Sequence, residues 1–440
     1  MRHYHCTGTQ RRFCRLRRVE GKMETTISML GLYISIPFCR AKCSYCNFAS
    51  GVFGGDRLDR YVERLVAEIH GARAQASAWQ AMLPEQADTI YFGGGTPSLL
   101  SPEQLQRIFH ALREQFSVSP DAEITLECAP GQLGDALLEA LPQVGVNRIS
   151  FGVQSFVDTE AAAVGRLHTC AQTLADIARL RTAGIENINV DLLAGLPQQT
   201  QASWQVSLDQ AIASGVPHVS VYMLEVDEDS RLGRELLQGG QRYHAGEVPD
   251  DAQIAEMYQA ACVQLATAGI AQYEISNFSR HGWESRHNEK YWLRQPYLGL
   301  GMDAHSMLLG QDGHPRRVAA TDDLTVFLEQ GAQHQSTIVD AQASLEEAWF
   351  LGLRRNAGLR LAAMAQEFGA EVIAAYRPIL ATCLDDGLIE ITDETACLTE
   401  QGRLFSNEVF ERFLGVGPCE IHTPVTQDSQ SIRDLFFSVL

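Results

Sequence analysis

From residue 32 onward, short apolar β-rich runs alternate with helical patterns, and that alternation limits the chain to a small set of folds. The strand candidates are 32–38 (LYISIPF), 87–93 (ADTIYFG), 122–128 (AEITLEC), 148–154 (RISFGVQ), 187–194 (NINVDLLA) and 218–225 (HVSVYMLE). Most read as apolar on both faces, as strands of a covered parallel sheet do. Helix candidates lie between them, near 56–74, 101–116, 134–143, 171–183 and 200–214. The second opens with Ser101, Pro102 and Gln104, which supply an N-cap, an N1 proline and a capping-box partner. Six β/α units in series predict a parallel sheet that curls into a full or partial barrel, with its chemistry at the strands' C-terminal ends.

Beyond the sixth strand the periodicity breaks in a Gly-rich polar stretch, 238–250 (QGGQRYHAGEVPD), which marks a boundary. The next segment reads as a helix, then YEISNF and RHNEKYW, then the Gly-spaced YLGLGMDAHS. Residues 344–414 read as helices, a short hairpin (LIEI and ACLT about Asp393–Glu394) and a last helix, an order resembling a winged helix. Such domains often bind DNA, but residues 360–414 hold four basic and ten acidic side chains, which favours a packing or partner role. The domains read as 1–29, a basic extension; 30–237, the β/α barrel; 238–340, an accessory region; 341–414, the winged-helix-like unit; and 415–440, a tail.

Charge narrows the partners. The formal net charge is −19, yet residues 1–22 carry six Arg, one Lys and only Glu20, so residues 23–440 hold −25. A body that acidic repels phosphate backbones and anionic bilayers, and no apolar run reaches the ~18–20 residues of a membrane span. The basic start lacks the apolar core of a secretory signal. Arg-rich and nearly free of acids, it superficially resembles a mitochondrial transit peptide. A translation start placed too early, with Met23 or Met29 the true beginning, is the plainer account. A cytoplasmic protein is expected.

Of the 11 cysteines, eight are scattered singly and three, Cys39, Cys43 and Cys46, fall within eight residues directly after the first strand. That usage fits a reducing compartment with one dedicated thiolate site. The Cys-x3-Cys-x2-Cys spacing lets a short loop wrap three thiolates around one cluster and leaves the fourth iron of a 4Fe–4S group open. Zinc is the alternative, although it usually takes four ligands and no fourth Cys or His lies nearby. Inert neighbouring thiols are the remaining alternative.

These cysteines, with Tyr33-Ile-Ser-Ile-Pro-Phe before them, resemble the start of radical S-adenosylmethionine (SAM) enzymes. More narrowly they resemble the branch containing oxygen-independent coproporphyrinogen III dehydrogenases and HemW-type heme chaperones, over about residues 30–414. The fold so implied is α/β: a partial (β/α)6-type radical SAM barrel of the TIM kind, an additional α+β segment and a C-terminal winged-helix-like domain. The resemblance further implies a 4Fe–4S cluster on Cys39, Cys43 and Cys46. SAM would be chelated at the open iron, where an electron can split its sulfonium.

Gly93-Gly94-Gly95-Thr96 ends the second strand. Alone it would be a tight turn; by resemblance Tyr33, Gly94, Gly95 and Thr96 contact SAM. Glu127, Gln154, Arg166 and Asp191 match by residue and order and are implied to hold the ribose and methionine parts. Charged residues in apolar strands need partners, so a salt bridge of Glu127 or Asp191 with Arg148 or Arg166 is the alternative. Ala129 and Gln198 depart from the family pattern, where Asn and Gly are usual.

Two features separate the branches. The dehydrogenases carry a fourth cysteine where Phe48 stands, and Arg286-His287-Asn288-Glu289-Lys290-Tyr291-Trp292 matches the chaperone branch's His-Asn-x-x-Tyr-Trp signature. His287 would then ligate heme iron, while Tyr291 and Trp292 offer flat faces to the porphyrin. If 286–294 is helical, Arg286, Lys290 and Arg294 form one cationic stripe facing the propionates. Without the family match, a surface helix edge with a hydrogen-bonded His and core aromatics is the plainer account. His305 is a second ligand candidate, although relatives usually have Gly where Asp303 stands.

The function implied is a heme chaperone that binds a 4Fe–4S cluster, SAM and heme and delivers heme to an acceptor protein. An electron donor joins if SAM is cleaved, and a homodimer is compatible with the resemblance. The alternative is an enzyme that decarboxylates coproporphyrinogen III oxidatively. A winged-helix regulator sensing iron–sulfur or heme status is disfavoured by the acidic C-terminal domain.

Overall fold

Six parallel strands build the wall of the site among residues 29–416, the span described by the computed structural model. The basic segment 1–22 and nearly all of the expected tail lie outside it. The strands are β1 (Leu30–Ile36), β2 (Gln86–Gly94), β3 (Ser117–Cys128), β4 (Arg148–Gln154), β5 (Asn187–Ala194) and β6 (His218–Met223), paired in chain order. Helices Arg57–Ala78, Pro102–Gln115, Asp135–Val144, Cys170–Thr182 and Gln201–Ser214 fill the crossovers and cover one face. Three of these helices start in capping boxes, Ser101 with Gln104, Thr169 with Gln172 and Thr200 with Ser203, which fixes where each leaves its loop.

The accessory region is split between the two edges of this sheet, which its sequence did not disclose. Its hairpin, β7 (Ala271–Glu274) and β8 (Asn277–Ser279), joins antiparallel to β6. Its next strand, β9 (Tyr297–Leu300), lies parallel to β1 at the opposite edge. There β10 (His305–Leu309), β11 (Pro315–Ala319) and β12 (Gln335–Ile338) continue antiparallel. The result is one open twelve-stranded mixed sheet ending in β12 and β7, so the barrel is partial and does not close. Between its two edges the chain crosses the concave side through the helix Arg286–Trp292, which packs on β2.

Most strands had read as apolar on both faces, and this is a correction. In β4, Ile149, Phe151 and Val153 enter the core under the helices, while Arg148, Ser150, Gly152 and Gln154 face the concave cavity. In β5, Ile188, Val190 and Leu192 face the helices, and Asn189, Asp191 and Leu193 face the cavity. The strands alternate with a period of two because only one face is covered by helices; the other lines a polar chamber.

Residues 345–413 enclose a second core around Trp349, Tyr376 and Phe413. Three short strands, β13 (Leu359–Arg360), β14 (Ile389–Thr392) and β15 (Thr395–Leu398), pair beside it in the order β13-β15-β14. The hairpin turns at Asp393 and Glu394 with φ of +49° and +60°, the left-handed pair that a two-residue hairpin loop needs. No described helix is long and apolar enough to cross a membrane.

Candidate functional site

The concave face encloses one cavity of about 1070 Å³. Cys39, Cys43 and Cys46 stand at its mouth, and Tyr33, Gly94, Gly95, Thr96, Glu127, Gln154, Arg166 and Asp191 line its upper wall. His287, Tyr291, Trp292 and His305 line it too, whereas Arg286 and Lys290 do not. The chamber thus gathers the motifs from six strands and an accessory helix spread over more than 250 residues.

The cysteine loop folds back on itself. Cys39 N–H donates to the Gly51 carbonyl at 2.9 Å and Gly51 N–H to the Pro37 carbonyl at 3.0 Å. Cys43 is buried, and Cys39 and Cys46 are half-buried; all three are free thiols. Burial pushes the Cys46 thiol up, and charge on Cys43 and Cys39 adds to it. Such a thiol gives up its proton readily only to a metal. Arg166 donates from Nη1 to Cys43 Sγ at 3.5 Å and also bonds the Gly152 carbonyl, so a cation already backs the thiolate loop. Among the described residues, no three His, Cys, Asp or Glu side chains converge on a single-ion position.

At the end of β2, glycine is demanded by the backbone. A Cβ on Gly95 would stand 2.7 Å from the Ile36 carbonyl oxygen and 2.8 Å from Phe38 N, and Gly94 has φ +95°. The turn therefore crosses directly over the end of β1, which brings Thr96 N–H to the Phe38 carbonyl at 2.8 Å and fastens the cysteine loop.

Glu127 accepts from Tyr91 Oη at 2.9 Å, and Asp191 accepts from Asn189 Nδ2 at 2.7 Å. Burial pushes the Glu127 carboxyl up to about 8, with the Asp191 charge as the next cause. Burial also raises Asp191. Neither carboxylate forms a salt bridge with Arg148 or Arg166 among the described residues; both bond neutral groups and keep acceptor capacity toward the cavity. That is the donor and acceptor set a ribose and an amino-acid group require, so the wall fits SAM.

The heme-motif helix is half-buried, with His287, Lys290 and Trp292 inside, which corrects the cationic stripe. Lys290 is 3% exposed and pairs with Asp88 at 2.6 Å; Arg286 reaches Asp88 at 3.6 Å. Arg294 lies past the helix end with φ +51° and pairs with Glu367 at 2.7 Å. Each of the three cations faces a carboxylate of the same chain, with only the Lys290–Asp88 pair buried, so they do not form a free surface stripe. Glu123 caps the same helix, accepting from the backbone N–H groups of Arg286 and His287 at 3.1 and 3.0 Å. His287 is 1% exposed, with Nδ1 2.8 Å from Thr89 Oγ1 and Nε2 2.9 Å from Tyr291 Oη. Burial lowers its pKa to about 3, with the Lys290 charge as the next cause, so the ring is neutral. Both nitrogens are engaged here, and Nε2 meets a metal only if Tyr291 releases it. Trp292 lies under Arg354, 4.3 Å from guanidinium carbon to ring centroid.

Sequence reasoning missed Tyr91, Asn189, Ser220 and Tyr222 on the inner wall. The period-two alternation of RISFGVQ, NINVDLLA and HVSVYM carried the signal for several of them. Gln198 and Asp303 adopt φ of +67° and +58°, in the left-handed region that favours glycine.

Comparison with known proteins matches residues 33–211 to the Radical SAM superfamily and 339–405 to the HemN C-terminal domain. The chain is 36% identical over 392 residues to the heme chaperone HemW of Bacillus subtilis (strain 168), spanning 88% of this chain and 100% of that one. It is 31% identical over 388 residues to the heme chaperone HemW of Escherichia coli (strain K12), spanning 88% and 98%. Its fold matches that of the coproporphyrinogen III oxidase HemN from Escherichia coli, with TM-score 0.75, 23% identity and coverage of 88% and 90%. With sequence likeness running the whole length of such relatives, the chain belongs to the HemW family within the radical SAM superfamily.

Proposed function

We propose that this protein is a cytoplasmic heme chaperone that holds a 4Fe–4S cluster, SAM and heme in one open barrel and passes heme to an acceptor protein. The observation that carries the proposal is that the His-Asn-x-x-Tyr-Trp helix forms the floor of the same cavity whose mouth bears the three cysteines. The curated relatives named heme chaperones, and Phe48 in place of a fourth cysteine, support the chaperone role over the dehydrogenase.

Cys39, Cys43 and Cys46 would hold the cluster. Tyr33, Gly94, Gly95, Thr96, Glu127, Gln154, Arg166 and Asp191 would hold SAM. Together, when bound, cluster and SAM supply one-electron chemistry, which calls for an electron donor only if SAM is cleaved. Arg166 offsets thiolate charge beside Cys43. Tyr91 orients the Glu127 carboxyl, and the helices behind β1 to β5 exclude water from the other side of the wall. His287 would serve heme iron through Nε2 once Tyr291 turns away, and the aromatic rings of Tyr291 and Trp292 would border the macrocycle.

The test is anaerobic reconstitution followed by heme titration, a SAM-cleavage assay and a coproporphyrinogen III incubation on one sample. Near-stoichiometric heme binding with unchanged coproporphyrinogen is expected. Conversion to protoporphyrinogen IX would overturn the proposal.

A further inference from the structure

Arg148 is a buried cation of the chamber that the site described above leaves without a task. It opens β4, is 2% exposed, and lines the cavity. Its Nε has no hydrogen-bond partner, and among the described residues no carboxylate stands within ion-pair distance of it. The same rung of the sheet joins Thr125, Arg148 and Asn187, and there Thr125 Oγ1 and Asn187 Oδ1 also lack partners. A buried guanidinium without an anion costs far more than it contributes, and buried polar groups left unpaired in folded proteins call for a missing partner. Neutral oxygens beneath it, with or without water, could satisfy Nε. Glu127 and Asp191 feel the Arg148 charge through space without pairing with it, so a carboxylate entering from the cavity side would be its first direct anion.

The place of Arg148 decides which anion. Arg166 bonds the Gly152 carbonyl and touches Cys43, so the cluster end of the chamber lies at Gly152. Arg148 begins the strand four residues earlier, about 13 Å lower at the rise of a β-strand. The amino-acid end of SAM belongs with the cysteines, at the Gly152 end of the strand. Around Arg148 the chamber is walled by Tyr91, His287 and Tyr291, flat groups suited to a planar apolar body. At about 1070 Å³ the cavity lies at the upper end of the range usual for ligand pockets.

We infer that Arg148 anchors a propionate carboxylate of a tetrapyrrole bound deep in the barrel, below SAM. This rests on the heme reading and names a contact for it at the cavity floor. It also replaces the lost stripe: the cation that meets the ligand is on β4, and Arg286 and Lys290 serve the fold.

The experiment titrates the full-length reconstituted protein with hemin, with hemin dimethyl ester, whose propionates carry no charge, and with SAM. The wild type should bind hemin at least about tenfold more tightly than the ester. Arg148→Met should bring hemin down to the level of the ester and leave SAM affinity unchanged, and Arg148→Lys should recover part of the difference. Ligand-free Arg148→Met should melt no lower than the wild type, because it removes a buried charge that pairs directly with no carboxylate. A lower melting temperature, or equal weakening of hemin and ester, would overturn the inference by making Arg148 structural. Selective loss of SAM affinity would overturn it by giving the carboxylate to SAM. Equal hemin binding by wild type and Arg148→Met would remove the anchor alone, whereas a wild type that binds no hemin would remove the chaperone reading and the anchor with it.

Discussion

Arg354 and Glu274 form an ion pair at 2.6 Å, with Glu274 fully buried and Arg354 nearly so. Arg354 ends the first helix of the C-terminal unit, Glu274 ends β7, and the same guanidinium covers Trp292 and donates to Ser276 Oγ at 3.1 Å. One cation therefore ties the C-terminal unit, the YEISNF hairpin and the motif helix into a single joint. Removing one partner of a buried pair leaves the other uncompensated, so Arg354→Ala should lower stability by about 3–5 kcal/mol. Thermal unfolding reads this out, and a loss below about 1 kcal/mol would show that the joint does not hold the units together.

Changing Cys39, Cys43 and Cys46 together to Ala should abolish the visible absorption of the reconstituted protein. Cys128→Ala should not, since Cys128 is buried at the end of β3 with its thiol pushed up by burial. Full iron loading in the triple variant would place the cluster elsewhere.

Glu127 makes ligand-free stability depend on pH. Its carboxyl titrates near 8 in the folded protein against an ordinary 4.5, so the folded state keeps a proton that the unfolded chain releases. The contribution is complete below about 4.5 and is lost as pH rises toward 8. Relative to Glu127→Gln, the wild type should therefore lose melting temperature steadily between pH 5 and 8. Parallel curves for the two proteins would show that Glu127 is ionised throughout.

Tyr291→Phe keeps the ring and frees Nε2 of His287. If that nitrogen serves heme iron, the variant should bind hemin more tightly than the wild type, by a few-fold to about tenfold, which matches the ~1 kcal/mol of a released hydrogen bond. His287→Ala should weaken hemin binding and leave the cluster intact. Because it also strands Thr89 and opens a buried cavity, it should destabilise the fold by roughly 2–4 kcal/mol. Undiminished hemin affinity in His287→Ala would shift the ligand elsewhere, with His305 next to test.

The six β/α repeats, their helix caps and the cysteine spacing were legible in the sequence because each is set by local chemistry. Strand periodicity, Ser101 with Gln104, and a loop of eight residues need no distant partner to be recognised. The Asp393–Glu394 turn was legible for the same reason. What only the tertiary structure decided is where nonlocal groups meet. The accessory region divides between two sheet edges more than 180 residues apart in sequence, because β9 finds the open edge of β1 while β8 takes that of β6. The spacing Arg286, Lys290, Arg294 looks like a surface stripe until Asp88 and Glu367 arrive from other elements to neutralise it. Arg148, read from sequence only as a salt-bridge partner, stands unpaired in the chamber because the carboxylates near it on β3 and β5 bond Tyr91 and Asn189 instead. Charge pairing depends on distances of a few ångströms between strands, and a linear pattern carries the residues for it but not the choice among partners.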